Sequence, residues 1–202
     1  FSNAWASMAK ALMLEVETLP GNWRRAIDIE ALEEHLKKDT KKDIKGILII
    51  HTETATGITN DLPAIRSAID SADHPGLLIV DTVAAAGTVD YRMDEWGIDV
   101  TVGASQKGLM MPPGIGIVAA GEKALSATKE STMPRLYWDW KTRLEAEHYR
   151  KFCGTAPQLM VFGMREALNM LFEEGLENVF ERHRVLAAAT HAAVEVWGQA
   201  GT

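Results

Sequence analysis

Lys107 lies in the segment Ala104-Ser105-Gln106-Lys107-Gly108, ahead of Pro112-Pro113-Gly114, and carries the sole charge between Val100 and Gly121. Apolar surroundings disfavour the charged form of a lysine, and the neutral amine is the form that joins a carbonyl as a Schiff base. Asp81 closes a second apolar run, Leu77-Leu78-Ile79-Val80, and leads into Thr82-Val83. An amine that captures a carbonyl and an acid that keeps a ring nitrogen protonated are complementary parts of one chemistry. Each has a plainer reading: Lys107 as a loop lysine between two strands, Asp81 as the cap of the next turn.

Pyridoxal phosphate needs both parts, a lysine for its aldehyde and an acid for its ring nitrogen, because the protonated ring is the electron sink. Thr54, Ala55, Thr56 and Gly57 follow a third apolar run and could supply hydroxyl and backbone donors, or simply form a turn. His51 and Glu53 have no second histidine at ligand spacing, so a zinc site is not expected. His148, His183 and His191 read as solvated, and Met110 and Met111 as gap-filling residues. Gly114-Ile115-Gly116 lacks the third glycine of a dinucleotide motif and precedes a strand. Gly103-Ala104-Ser105-Gln106-Lys107 has lysine where a nucleophile elbow requires its second glycine.

The elements that must position these residues alternate. Trp5 to Leu12 predicts a short helix and Leu14 to Leu19 an alternating strand. Asp28 is an N-cap for a helix with Ile29, Leu32 and Leu36 on one face. The lysines from Lys37 to Lys45 read as a solvated helix end and loop. Ile47 to Ile50, Leu77 to Val80 and Asp99 to Val102 read as fully buried central strands. Asn60 or Asp61 caps an intervening helix with Pro63 in its first turn and Leu62, Ile65 and Ile69 on one side. A further apolar run spans Ile115 to Ala120. This order predicts an α/β fold, a mostly parallel sheet with helices on both faces. Ligands of such sheets bind beyond the strands' carboxyl ends, where Thr54, Asp81 and Lys107 all fall. Thr155-Ala156-Pro157 starts a helix carrying Leu159, Phe162, Leu168 and Leu171. Gly175 breaks it, and an alanine-rich helix continues to Trp197.

The bulk figures exclude several classes. With 202 residues, 47% hydrophobic and 24% charged, the chain can build one sizeable core. A net charge of −7 argues against nucleic-acid binding. No apolar run approaches the ~20 residues that span a bilayer. One cysteine, Cys153, excludes an internal disulfide framework, and a reducing, cytoplasmic setting fits. The chain opens without methionine and closes just after a helical pattern, so both ends read as cut.

Taken in order, His51-Thr52-Glu53-Thr54-Ala55-Thr56-Gly57, Val80-Asp81-Thr82-Val83, Met93-Asp94-Glu95-Trp96-Gly97-Ile98-Asp99 and Ser105-Gln106-Lys107-Gly108 with Pro112-Pro113-Gly114 resemble the class V aminotransferases. The branch they are most similar to is the serine–glyoxylate and alanine–glyoxylate group, with the aspartate–glyoxylate enzymes. Gly163-Met164-Arg165-Glu166-Ala167-Leu168, Glu174-Gly175-Leu176-Glu177-Asn178 and Arg182-His183 extend the resemblance over nearly the whole chain.

The resemblance implies a fold-type I homodimer that uses pyridoxal 5'-phosphate, with a large α/β domain and a small C-terminal one. Residues 1–125 would belong to the large domain, 126–154 to a linker, and 155–202 to an interdomain helix and the start of the small domain. It implies Lys107 as the Schiff-base lysine of an internal aldimine and Asp81 as partner of the pyridine nitrogen. Val83 would pack on the ring, Thr54 and Gln106 would make polar contacts, and Thr155 would reach the phosphate of the other subunit's cofactor. The implied activity is amino transfer between a small amino acid (serine, alanine or aspartate) and glyoxylate or a similar 2-oxo acid. Phe152 stands where many relatives have a phosphate-binding tyrosine. The upstream phosphate loop, the stacking aromatic ring and the carboxylate-binding arginine are not in the chain, which corresponds to roughly half of such an enzyme. Two rivals follow. One is a truncated scaffold without activity. The other is a cysteine desulfurase, against which Gln106 stands where that class has histidine, and Cys153 stands at a phosphate-contact position.

Overall fold

Five-residue strands form at the apolar runs: β1 (Gly46–Ile50), β2 (Leu77–Asp81), β3 (Val100–Ala104) and β4 (Gly116–Ala120). The computed structural model describes residues 1–144, 151–152 and 154–199, and orders the strands β1-β2-β3-β4 in one sheet. The first three are parallel, with Ile50 opposite Asp81 and Asp81 opposite Val102; β4 runs antiparallel to β3. The carboxyl ends of β1, β2 and β3 therefore share one edge, and β4 returns from a long loop at that edge. This is the mostly parallel α/β sheet that the alternation of elements predicts.

Among the described residues seven α-helices accompany it: α1 (Ser2–Ala11), α2 (Ile29–Lys38), α3 (Leu62–Ser71), α4 (Glu122–Ala127), α5 (Trp140–Leu144), α6 (Gln158–Glu174) and α7 (Leu176–Gln199). Local chemistry starts the two core helices. The Asp28 carboxylate accepts from the Ala31 N–H and the Asp61 carboxylate from the Ala64 N–H, each at 2.9 Å. Leu32 and Leu36 of α2 and Leu62, Ile65 and Ile69 of α3 then close over Ile47, Ile49, Leu78 and Val80 in one cluster.

Side chains alternate along a strand, so this cluster defines one sheet face. The opposite face carries Leu48, Ile50, Ile79, Asp81, Val102 and Val118, by the same alternation and the registers above. There Leu48 is 47% exposed and Val118 54% exposed. The acid at the end of β2 thus belongs to this second face, away from α2 and α3, at a buried end of it beside Ile50.

Three expectations are corrected. Leu14 to Leu19 forms no strand. An alternating pattern becomes a strand only with a ladder partner, and no described strand pairs with it. β1 is an edge strand rather than a central one, and Leu48 reaches solvent because it lies on the face that α2 and α3 do not cover. The lysine run is not wholly solvated, since Lys42 Nζ donates to the Ala72 and Asp73 carbonyls at 3.2 and 2.8 Å, satisfying groups at the end of α3. His148 and Cys153 lie outside the described residues.

Candidate active site

Asp81 is the last residue of β2 and is buried. Its Oδ1 accepts from the Val83 N–H at 2.8 Å, a turn of the kind aspartate makes with the backbone two residues on. Oδ2 has no hydrogen-bond donor among the described residues. Burial pushes the carboxyl above its usual range, the Val83 N–H opposes that rise, and the nearby Glu53 charge adds to it. Asp81 is thus both a turn cap and an acid with one oxygen to spare.

The turn after Asp81 is tight. The Thr82 carbonyl accepts from the Ala85 and Ala86 N–H groups at 2.9 and 2.8 Å, and the Thr88 hydroxyl donates to the Ala85 carbonyl at 2.8 Å. Gly87 sits at φ +78, a region that favours glycine. A Cβ on Gly87 would meet the Gly108 carbonyl oxygen at 2.8 Å, and a Cβ on Gly108 would meet the Ala86 carbonyl oxygen at 2.3 Å. Two residues without side chains let the loop bearing Lys107 lie directly on the turn that follows Asp81.

Lys107 follows β3 by three residues and is exposed. The apolar enclosure expected from its neighbours in sequence is incomplete, because Gly108 and Met110 share only an open cleft with it. Its side chain has no hydrogen-bond or ion-pair partner among the described residues. Gln106 beside it is exposed as well.

Thr54 is exposed at the tip of the turn beyond β1. That turn is closed by the Gly57 N–H donating to the Glu53 carbonyl at 2.8 Å and by the Thr52–Thr59 bridge. Asn60 fastens its base: Nδ2 donates to the Ile50 carbonyl at 2.7 Å and Oδ1 accepts from the Ile27 N–H at 2.9 Å. Asn60 was legible only as a possible helix cap, and that role goes to Asp61. Thr155 is exposed in the segment before α6, and Phe152 nearby is also exposed. The sheet edge brings Thr54, Asp81, Val83, Gln106 and Lys107 to one side of the molecule, and no hydrogen bond among the described residues joins Thr155 to them.

A cleft of about 310 Å³ opens beside the Lys107 loop, lined by Ala84, Thr88, Lys107, Gly108, Met110, Leu171, Arg182 and His183. Arg182 is held by Glu174 through Nε and Nη2 at 2.7 and 2.8 Å. His183, expected to be solvated, is half-buried against this cleft. Asp81 and Thr54 do not line it, so the cleft is not the whole site. No group of three or more metal-ligating side chains occurs among the described residues. His51 is buried against Tyr91 and Trp96, its Nδ1 unpaired, and burial pushes its pKa down to about 4.

The donor set suits pyridoxal 5'-phosphate at one end. A buried acid with an oxygen unpaired among the described residues is matched to a ring N–H, and a lysine with no partner among them is matched to a carbonyl.

Comparison with known proteins is consistent with this chemistry. The family profile described as "Aminotransferase class-V" matches residues 1–200. A serine–glyoxylate aminotransferase of Methylorubrum extorquens is 42% identical over 203 residues, covering 98% of this chain and 50% of that protein. An L-aspartate–glyoxylate aminotransferase of Paracoccus denitrificans is 38% identical over 198 residues, covering 98% and 50%. The crystal structure of ureidoglycine-glyoxylate aminotransferase from Bacillus subtilis superposes with a TM-score of 0.81 at 31% identity, covering 95% of this chain and 49% of that one. The chain spans about half the length of the curated relatives it matches.

Proposed function

The chain belongs to the class V aminotransferases, and from that premise we propose that the whole protein transfers an amino group from a small amino acid to glyoxylate or a similar 2-oxo acid, with pyridoxal 5'-phosphate as cofactor. Serine and aspartate are the donors named in the relatives above, and alanine is named in a solved alanine–glyoxylate aminotransferase of Nostoc that is 28% identical. The observation that carries this reading is the contact of Gly108 with the turn after Asp81, which holds the lysine-bearing loop beside the acid-bearing strand end.

Pyridoxal phosphate, when bound, supplies a conjugated ring that accepts the electron pair left when the substrate α-carbon loses its proton. Asp81 Oδ2 would accept from a ring N–H and keep the proton there, the Val83 N–H fixes the carboxylate, and the Val83 side chain would pack against the ring. Thr54 and Gln106 place a hydroxyl and an amide at the mouth of the sheet. The Lys107 amine would hold the cofactor carbonyl; once the substrate amine displaces it, the freed amine would take the proton from the substrate α-carbon and return it, as general base and then acid. Thr155 serves the cofactor phosphate of a second copy, which makes a homodimer the working unit. Residues 1–125 form part of the large domain, 126–154 a linker, and 155–202 the interdomain helix and the start of the small domain.

One observation favours a second reading of the 202-residue chain by itself. Its open sheet face and the exposed Leu159, Phe162, Phe172 and Trp197 leave apolar surface uncovered, as in a scaffold that catalyses nothing alone. The test is Lys107→Ala in the full-length protein, assayed with each donor and glyoxylate beside the 202-residue chain. Turnover should fall by several powers of ten, and borohydride reduction followed by peptide mapping should label Lys107 in the unsubstituted protein. A label on another lysine sinks the assignment.

A further inference from the structure

We propose that Ser105 is the positioning residue for Lys107: a buried hydroxyl that clamps the neck of the catalytic loop and so sets where the lysine reaches. The proposal rests on the reading of Lys107 given above.

Ser105 is 0% exposed and follows β3 directly. Its hydroxyl donates to the Pro112 carbonyl at 2.7 Å and accepts from the Ile115 N–H at 3.3 Å. Its backbone N–H donates to the Ile115 carbonyl at 3.1 Å, and its carbonyl accepts from the Met111 N–H at 3.0 Å. Four hydrogen bonds thus gather both ends of the loop onto one residue.

The loop needs this. Pro112 and Pro113 have no N–H, so the regular ladder of the β3–β4 pair cannot continue into it. A side chain that both donates and accepts satisfies the Pro112 carbonyl and the Ile115 N–H together, and a hydroxyl does so in the smallest volume. Inside the loop, the Lys107 carbonyl accepts from the Met110 N–H at 2.9 Å, with Met110 at φ +57. On its far side, Gly108 rests on Ala86. With no partner among the described residues, the Lys107 side chain takes its place from the path of this backbone, which is held at Ser105 and at Gly108.

The experiment compares Ser105→Ala, Ser105→Thr and Ser105→Cys in the full-length holoenzyme with Ile69→Val, a core change of similar thermal cost remote from the loop. For Ser105→Ala we expect kcat to fall by about 10- to 100-fold, with KM changed by less than about threefold, since misplacement of about 1 Å costs turnover on this scale. Amide exchange at Ile115 and Met111 in the cofactor-free protein should quicken by at least about tenfold as the neck opens. Ser105→Thr keeps the hydroxyl and should recover most of kcat and of the protection. Ser105→Cys, a weaker donor of similar shape, should fall between, and it carries the comparison if Ser105→Ala does not fold. Ile69→Val should lose Tm and keep kcat. Unchanged exchange and kcat in the alanine variant, or in the cysteine variant in its stead, would overturn the proposal. So would a threonine variant as slow as the alanine one, or a loss of kcat in Ile69→Val that tracks its loss of Tm. Exchange is read without turnover, so a failure of the clamp and a failure of the Lys107 assignment are separate results.

Discussion

Gly108→Ala puts the contact between the Lys107 loop and the turn after Asp81 under direct strain. The added Cβ would lie 2.3 Å from the Ala86 carbonyl oxygen, 2.7 Å from Thr88 Cγ2 and 3.0 Å from the Gly87 carbonyl carbon. Ordinary contacts begin near 3.4 Å. Two of the three obstacles are backbone atoms, which cannot swing aside as the end of a long side chain does. The loops must therefore part by roughly 1 Å, at an overpacking cost of about 1–3 kcal/mol. A shift of that size at the lysine costs roughly 100-fold in turnover. The assay is steady-state kinetics with thermal unfolding of the full-length protein, and Gly163→Ala is the comparison. Its Cβ would meet the Met111 Sδ and Cε at 3.0 and 2.9 Å, part of a flexible thioether that can move. We expect Gly108→Ala to lose kcat and several degrees of Tm, and Gly163→Ala to lose little of either. A Gly108→Ala enzyme with wild-type kcat and Tm would show that the loops are not held by this contact. A Gly163→Ala enzyme equally damaged would show that the arithmetic of close approach does not govern this site.

Two further predictions concern charge. Burial raises the Asp81 pKa in the folded chain, so the folded state holds that proton more tightly than the unfolded one, and the associated stability is present below the unfolded pKa and lost as pH rises through the folded pKa. Asp81→Asn should therefore raise the Tm of the cofactor-free protein at pH 7, with the gain vanishing below the usual carboxylate range, while turnover of the loaded enzyme falls severely. A lower Tm at pH 7, or near-normal turnover, would contradict this. His51 has the opposite sign: its folded pKa of about 4 lies below the unfolded value of 6.5, so stability should decline as pH falls through this window, by roughly 3 kcal/mol in all. His51→Phe, which keeps an aromatic ring against Tyr91 and Trp96, should flatten that acid limb in urea unfolding at pH 7 and pH 5; an identical limb in both proteins would rule His51 out as its source.

What was legible in the sequence was whatever is decided locally. Asp28 and Asp61 start their helices because a cap bonds to a backbone N–H three residues on. Pro63 suits the first turn, and the runs at Ile47, Leu77 and Val100 become strands because no shorter-range structure competes for them. Asp81 and Lys107 could be named as partners because parallel strands present their carboxyl ends together, and the resemblance to the class V aminotransferases assigned them roles. Only the tertiary structure decided the rest. Leu14 to Leu19 carries a strand pattern but finds no ladder partner. β1 takes the sheet edge, and the strand register puts Leu48 and Asp81 on the face that α2 and α3 do not cover. The meeting of Gly87 with Gly108, the clasp of Ser105 on Pro112 and Ile115, and the hold of Asn60 on Ile50 and Ile27 join residues that no periodicity links. Helix caps and apolar runs act over one turn or one strand. Strand order, loop contact and the satisfaction of buried polar groups depend on which distant segments the folded chain brings within hydrogen-bond reach.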